Sequence, residues 1–470
     1  MSQTQIELDI IPTPVPNESQ AQFRVASPED GAANGRDDRN SSGSQEFSLP
    51  PIDGGKDAWL FLAACFVVDA LIWGYAFSFG VFQDYYSQHA PFSSSGNIAA
   101  IGTSAVGFMY LSSPLVLGLC RLYPHYTRFA TPAGLLLASL SLALASLATS
   151  TGTLIVLQGV LYALGGAVAY CPTILYIDEW FAARKGMAYG IVWSGEGLAS
   201  VVIPLVLQRL LAGYGHATTL RASGVALFAI AAPLSLYIKP RLPPSGTTAM
   251  RPWGLKFLVS GLFAPYQLGN FVQGTGYFLP GIYLPTYART VLGAPGFLSA
   301  LTVLLVNLST TIGCVVMGTL TDRLPDTTCI LISSAGATVG IFVVWGLSSS
   351  LAVLYVFCVI YGLFAGSFTS TWPGIMRELG RNREAEAAGH GAIDPTMVFG
   401  WLCAGRGVGS LVSGPLSDSI TKGMAWKGYA TAGYGSGYGP LIVYTGVTAL
   451  LGCSSFMWKR LVALKGELLH

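Results

Sequence analysis

From residue 57 onward the chain reads as long apolar runs separated by short polar links, whereas residues 1 to about 50 mix Pro, Ser, Asn, Gly and charged side chains with few large apolar groups. A helix needs about 20 residues to cross the hydrocarbon core of a bilayer. Twelve runs approach or exceed that length: 58–82, 97–119, 128–149, 152–175, 186–210 and 220–238, then 255–285, 297–320, 328–347, 350–373, 396–420 and 439–460. Each predicts a helix, because a segment in hydrocarbon must pair its backbone N–H and C=O groups within itself. The pattern predicts an all-α polytopic membrane protein with 12 transmembrane helices.

The runs fall into two sets of six of similar length, joined by a short Pro-rich stretch from Lys239 to Arg251. Two six-helix pseudo-repeats with a central link suggest parallel halves enclosing a site near the bilayer midplane. The expected organisation is a disordered tail over 1–56, a six-helix bundle over 57–238, a linker over 239–254, a second bundle over 255–460 and a tail over 461–470. The first tail cannot bury enough apolar surface to offset the entropy of ordering it. It lacks the basic start and apolar core of a secretory signal, and its sequons at Asn17 and Asn40 matter only if it is luminal.

Composition removes the soluble alternative. Charged residues make up 10% of the chain, against about 25% in soluble domains, and the mean hydropathy is +0.55. The formal net charge of +2 leaves no nucleic-acid footprint. The distribution of Lys and Arg gives an orientation. With the N-terminus inside, the inner loops and tails hold 19 of the 25 basic residues, the outer loops hold Arg209, Arg221, Arg289, Lys422 and Lys427, and Arg406 lies inside a run. Inner loops of membrane proteins are enriched in Lys and Arg, so both termini are expected in the cytoplasm.

Several chemistries find no support. The eight cysteines form no CxxC pair, so they read as small packing residues. The five histidines share no metal spacing, and the Gly-rich stretch 433–439 follows no strand and lies in an outer loop, so it is no phosphate cradle. Without a Walker lysine, a G-x-S-x-G or an HExxH motif, the sequence suggests neither an enzyme nor a cofactor.

Specific motifs point to a family. The turn Gly318-Thr319-Leu320-Thr321-Asp322-Arg323 resembles the signature loop of the major facilitator superfamily, and Gly118-Leu119-Cys120-Arg121 is a first-half version that keeps the glycine and a base but lacks the acid. Asp53, Gly54, Gly55, Ala58 and Trp59, then Ser78 to Phe82 and Tyr85-Tyr86, resemble the first span of monocarboxylate-porter-like members, fungal ones in particular. The stretch from Glu179 to Gly195 is similar to their span 4–5 junction, and Thr218-Thr219-Leu220-Arg221 and Pro240-Arg241-Leu242-Pro243 continue that likeness. Tyr277, Pro280, Tyr283, Leu284, Pro285 and Tyr287 are similar to their seventh span, so the likeness covers residues 53 to 460. There are departures. Animal lactate carriers have a lysine late in span 1, yet nothing between Trp73 and Phe82 is basic; Cys314 stands where relatives often carry an arginine, and Gly195-Glu196-Gly197 where fungal relatives often have Thr between glycines.

The resemblance implies a secondary transporter of the major facilitator fold that works by alternating access on a small organic solute, monocarboxylate-like or aromatic and carboxylated. Protons are a possible co-substrate, and the plasma membrane is the family's default location. Export of a fungal-type secondary metabolite is the alternative, and a non-transporting sensor on a transporter scaffold is a reading from another class. Partners are the lipid bilayer and the solute, with no nucleic acid, and the oligomeric state is open.

Three charged residues sit near span centres: Asp69, Glu196 and Arg406. Each costs about 2.5–3.5 kcal/mol there on insertion scales, so each needs a partner, water or a function. In the implied fold, spans 1, 5 and 11 line the central cavity. A carboxyl group out of bulk water can exchange protons near neutrality, which makes Glu196 and Asp69 candidate coupling groups. Arg406 stays charged and could hold an anion, or pair with one of them. Asn270, Gln273 and Tyr277 share one face of span 7, Gln158 and Tyr162 one face of span 4, and Asn307 and Tyr361 add polar groups in spans 8 and 10. By resemblance, the loop charges Asp178, Glu179, Arg184, Lys185, Asp322 and Arg323 are expected to hold the two halves together in one access state.

Overall fold

Each of the twelve runs is helical in the computed structural model, which describes residues 50–93, 97–242, 255–381 and 394–468. The first half comprises α1 (Lys56–Gln88), α2 (Ala99–Leu122), α3 (Ala130–Ala145), α4 (Thr151–Trp180), and α5 and α6 as 185–214 and 216–235. The second comprises α7 (264–290), α8 (Gly296–Thr321), α9 (Asp326–Trp345), α10 (Leu351–Gly380), α11 (Pro395–Thr421) and α12 (Gly439–Leu451 continued by Ser454–Leu468). Residues 1–49 of the expected N-terminal tail, with Asn17 and Asn40, and most of the linker lie outside the described residues; residues 50–55, expected to belong to that disordered tail, are instead placed against the α4–α5 turn through Asp53.

Boundaries follow local chemistry. The chain reverses between α5 and α6 at Gly215, whose φ of 73° is one that a residue with a Cβ adopts at a steric cost. Ser150 accepts a hydrogen bond from the Thr153 N–H and so caps α4. The seventh helix starts later than its apolar pattern implies. Residues Leu255–Val259 form a short 3-10 turn, and Pro265 in the first turn of α7 sets the new start.

Seven helices among the described residues are long and apolar enough to span a membrane on length and composition alone, and α12, bent by 41°, makes an eighth. The 51-residue helix that passes this test contains two spans, α5 and α6. The remaining ones are short (α3, with 16 residues), broken (α7, at Phe278) or rich in Gly and Ser and carrying Arg406 (α11). Outward faces carry leucine stripes at helical spacing. Leu136, Leu140 and Leu144 on α3 are 47%, 51% and 48% exposed, and Leu308, Ile312 and Val316 on α8 are exposed likewise. In water such surface would cost about 25 cal/mol per Å²; against lipid tails it costs nothing, which is the face of a multi-pass membrane protein.

Two seams join the halves. Along the first, α5 meets α8 through glycines: a Cβ on Gly190 would lie 2.4 Å from the Cys314 carbonyl oxygen, and one on Gly318 would lie 2.3 Å from the Gly186 oxygen. Along the second, α2 meets α11, where a Cβ on Gly407 would lie 2.8 Å from Tyr110 Cβ and one on Gly400 would lie 2.9 Å from Pro114 Cα. Small residues let helix backbones approach where lipid offers no hydrophobic drive to association. All eight cysteines are free and buried, as packing residues.

The first-half end that holds the α4–α5 turn is tied down by backbone contacts. Asp53 accepts from the N–H groups of Ala182, Ala183 and Arg184, and Glu179 accepts from those of Arg241 and Leu242.

Gly190→Ala forces α5 and α8 apart, and should destabilise the folded protein by about 1–3 kcal/mol, as overpacking does. The expected readout is a lower thermal midpoint in detergent than for Gly80→Ala, where a Cβ meets nothing within 4 Å. Equal midpoints would show that the seam is not close-packed.

Candidate functional site

Arg406 is the largest fully buried charged side chain among the described residues. It is 1% exposed on α11, and its Nη1 donates to Gln273 Oε1 at 2.7 Å. Its guanidinium lies 4.3 Å from the centre of the Tyr277 ring and 5.7 Å from that of Phe278. Tyr361 stacks beyond Tyr277 at 6.4 Å and donates to the Tyr277 carbonyl at 2.8 Å. The α7–α11 crossing beside Arg406 is close at Gly409, where a Cβ would lie 2.9 Å from the Phe271 carbonyl oxygen.

Magnitudes show that this is not full compensation. Burying a cation costs several kcal/mol. A hydrogen bond to a charged group returns about 1.5–3 kcal/mol, and a desolvated cation–π contact about 2. Arginine has five N–H donors, and the buried Nε of Arg406 finds no partner. The site therefore needs an anion, from the protein or from a ligand.

Glu196 is the protein's candidate. It lies within electrostatic range of Arg406, is only partly buried, and makes no ion pair within 4 Å among the described residues. Its flanking glycines explain how a carboxylate fits between two helices. Gly195 packs on the Phe66 carbonyl and Ala70 of α1, while Gly197 packs on Thr311 and the Asn307 carbonyl of α8. Asp69 on α1 is 0% exposed, lies within range of Glu196, and neither of its carboxyl oxygens has a hydrogen-bond partner. Tyr110 of α2 and Cys314 of α8 are within range of both Glu196 and Arg406. The three charged residues singled out by their cost thus converge on one centre fed by α1, α2, α5, α7, α8 and α11.

An aromatic plug, not singled out from the sequence, lies next to this centre. Trp193, one turn before Glu196, stacks on Phe399 of α11 at 6.1 Å and 9°, and both contact Trp372 of α10 at 6.2 and 5.5 Å. Tyr189 packs on Trp193 at 5.1 Å. The signal was present as Tyr189 and Trp193, spaced i, i+4 on the face of α5 that leads to Glu196.

Beyond the plug, the halves are fastened by two related contacts. Asp322 accepts from the Gly186 and Met187 N–H groups at 2.7 and 2.9 Å, capping α5, and Arg377 stands 3.8 Å from its carboxylate. A carboxylate at a helix N-terminus also gains from the helix dipole. In the first half, Arg121 reaches Asp394 at 2.9 Å and donates to Thr396 at 2.7 Å, at the start of α11. The acid missing from the first-half turn is thus supplied by the second half.

The other expected residues separate into two groups. Asn270 donates to the Leu402 carbonyl at 2.7 Å and ties α7 to α11, and Asn307 donates to the Ser200 carbonyl at 3.3 Å and ties α8 to α5. Gln158 and Tyr162 are turned into the first-half core instead. Gln158 bonds Tyr86 and Tyr75, and Tyr162 donates to the Ile72 carbonyl at 2.8 Å. Of the six loop charges, Asp322 bridges the halves. Asp178 and Lys185 pair with each other at 2.6 Å across the α4–α5 turn, and Glu179 holds the start of the linker, so all three are satisfied locally. Arg184 and Arg323 are exposed, and neither side chain makes an ion pair among the described residues.

Comparison with known proteins agrees with this architecture. The Major Facilitator Superfamily profile matches residues 121–393, more than half of the chain. The MFS transporter asaE of Aspergillus flavus is 24% identical over 431 residues, covering 91% of this chain and 92% of that protein. The aspyridones efflux protein apdF of Emericella nidulans is 27% identical over 375 residues, covering 79% and 74%. Among solved structures, the proton:xylose symporter XylE bound to 6-bromo-6-deoxy-D-glucose superposes with a TM-score of 0.59 at 14% identity, covering 86% of this chain and 95% of that one. The chain belongs to the major facilitator superfamily and is a multi-pass membrane transporter.

Proposed function

We propose that this transporter carries a small organic anion with an aromatic or conjugated body together with a proton, and that it exports the compound when the cell makes it. The observation that supports this most is the buried Arg406, boxed by Gln273, Tyr277 and Phe278 and facing Glu196 across a gap too wide for an ion pair.

The chemistry rests on charge balance. While Glu196 is ionised it is the counter-charge of Arg406, and an anion competes with it. Once Glu196 takes a proton, Arg406 is free to hold the anion, and the ring faces beside it accept a flat apolar body. Proton and anion then bind as a neutral pair, which is the form that a dehydrated centre accepts at least cost. Reorientation exposes both to the other side. Because a symporter runs down the summed gradients, synthesis inside the cell drives it outward. Relatives named for efflux, such as the aspyridones protein, support that direction. Asp69, buried next to Glu196, is a second place for the proton.

Placement in the monocarboxylate-porter-like branch rests on the span 1, span 4–5 and span 7 motifs. The excess of Lys and Arg supports an orientation with both termini, and the end fastened by Asp322 and Arg121, in the cytoplasm. On that reading the protein is closed to the cytoplasm in this state. The plasma membrane is the proposed location, and transport without catalysis the proposed activity.

Loss of the gene should raise the exported compound inside cells and deplete it in the medium. The reverse pattern would establish uptake, and no change in either pool despite confirmed expression would favour a sensor. For the compound so identified, Arg406→Ala should weaken binding by about 10- to 100-fold, the loss of one charge-assisted contact, with the folded yield kept. A normal affinity with a reduced yield would make the arginine structural. Glu196→Gln should keep anion binding and abolish the pH dependence of transport. A variant whose pH profile matches wild type would remove Glu196 from the coupling role.

A further inference from the structure

A second carboxyl centre lies in the second half, where α7, α9, α10 and α12 converge beside the α8–α9 turn. The Tyr266 hydroxyl of α7 lies 2.6 Å from Glu378 Oε2 of α10 and is hydrogen bonded to Asp326 Oδ2 at the start of α9. The Asp326 and Glu378 carboxyl groups are also within hydrogen-bonding reach of each other. Lys459 of α12 pairs with Glu378 Oε1, stands 3.8 Å from Asp326 Oδ2, and lies 5.3 Å from the centre of the Tyr266 ring. The closeness is built into the backbone, since a Cβ on Gly374 of α10 would come within 2.8 Å of Asp326 Cβ. Tyr266 is 3% exposed, whereas Asp326 and Glu378 line a cavity of about 390 Å³ that gives them access to solution.

Counting hydrogens shows what this cluster lacks. A phenol has one hydrogen and cannot donate to two carboxylates at once. Two ionised carboxylates in mutual contact have no hydrogen to place between them, and one ammonium leaves the group with a net negative charge. One added proton on the Asp326–Glu378 pair supplies a missing hydrogen and removes the excess charge. Carried by the carboxyl that faces the phenol oxygen, it lets Tyr266 accept from that carboxyl while donating to the other, and it brings the cluster to neutrality.

We propose that Tyr266, Asp326, Glu378 and Lys459 form a proton-binding site, separate from Glu196 and Asp69, that takes one proton from the solution at this end of the protein. The other charged or titratable groups around it do not replace the proton. Arg377 turns to Asp322 and to the Thr321 carbonyl, Arg323 is exposed, and Cys329 lies one turn along α9. The site adjoins the seam between the halves. Asp322, across the α8–α9 turn from Asp326, caps α5, and Arg377, next to Glu378, holds Asp322. Loss of the proton adds a negative charge beside that fastening, so the pH on this side acts on how firmly α5 and α8 are held. The inference does not depend on which solute is carried or on Glu196.

The test is hydrogen/deuterium difference infrared spectroscopy of the purified full chain across a pH titration, in an Asp69→Asn/Glu196→Gln background that silences the central carboxyls. The expected result is a protonated-carboxyl C=O band that grows as the pH falls from neutral to mildly acidic, above the range of ordinary carboxyls, and that disappears in Asp326→Asn. Tyr266→Phe, which keeps both carboxyls and tests the site if Asp326→Asn does not fold, should shift that band by removing its phenol partner. A carboxyl band unchanged by both substitutions, or no such band in the background protein, would overturn the proposal.

Discussion

A buried guanidinium organises this protein. Arg406 sits in a helix whose surroundings are lipid and apolar side chains, and an arginine cannot shed its charge to lower the cost. The helices that meet it are shaped accordingly. Gln273 supplies an acceptor, Tyr277 and Phe278 supply ring faces, and Gly409 clears the crossing with α7. What they leave unpaired is the opening for chemistry. Glu196 comes from the other half, so the balance of charge at the centre is also a balance between the halves. A carboxyl that can gain a proton, facing a cation that cannot lose one, gives two electrostatic states in one geometry.

The outer parts make that centre addressable from one side at a time. The plug of Tyr189, Trp193, Trp372 and Phe399 draws on α5 from one half and α10 and α11 from the other. Beyond it, Asp322 at the end of α8 caps α5, and Arg121 of α2 pairs with Asp394 at the start of α11. These fastenings pair unlike partners, a carboxylate with a helix N-terminus and a guanidinium with a carboxylate, although the two turns that carry them are related. The glycine seams run along the same helix pairs, so the contact surfaces are narrow and largely backbone. Few side chains need to repack if the halves rock about them.

How much of this could be read from residue order depends on the range of each interaction. The spans were legible because hydropathy over about 20 residues is a local property, and the start of α7 was missed because a proline in its first turn overrides that average. That Asp69, Glu196 and Arg406 need partners was legible from cost alone, and so was the shared face of Asn270, Gln273 and Tyr277; that they meet in one place was not. Gln158 and Tyr162 share a face as expected, but that face turns into the first-half core, since periodicity tells which residues align and not what they align against. Asp178 and Lys185 satisfy each other across a tight turn, a local solution that competes with any bridge between halves. The partner of Arg121 lies 273 residues away, beyond what spacing can reveal.

The central claim is that Glu196 and Arg406 interact through charge across the two halves. A double-substitution cycle with Glu196→Gln, Arg406→Gln and both together, read as thermal stability in detergent, measures that interaction without knowledge of the substrate. The account predicts a coupling of about 0.5–3 kcal/mol at alkaline pH that vanishes at acid pH, where the carboxyl is neutral. Additive effects at every pH would contradict it.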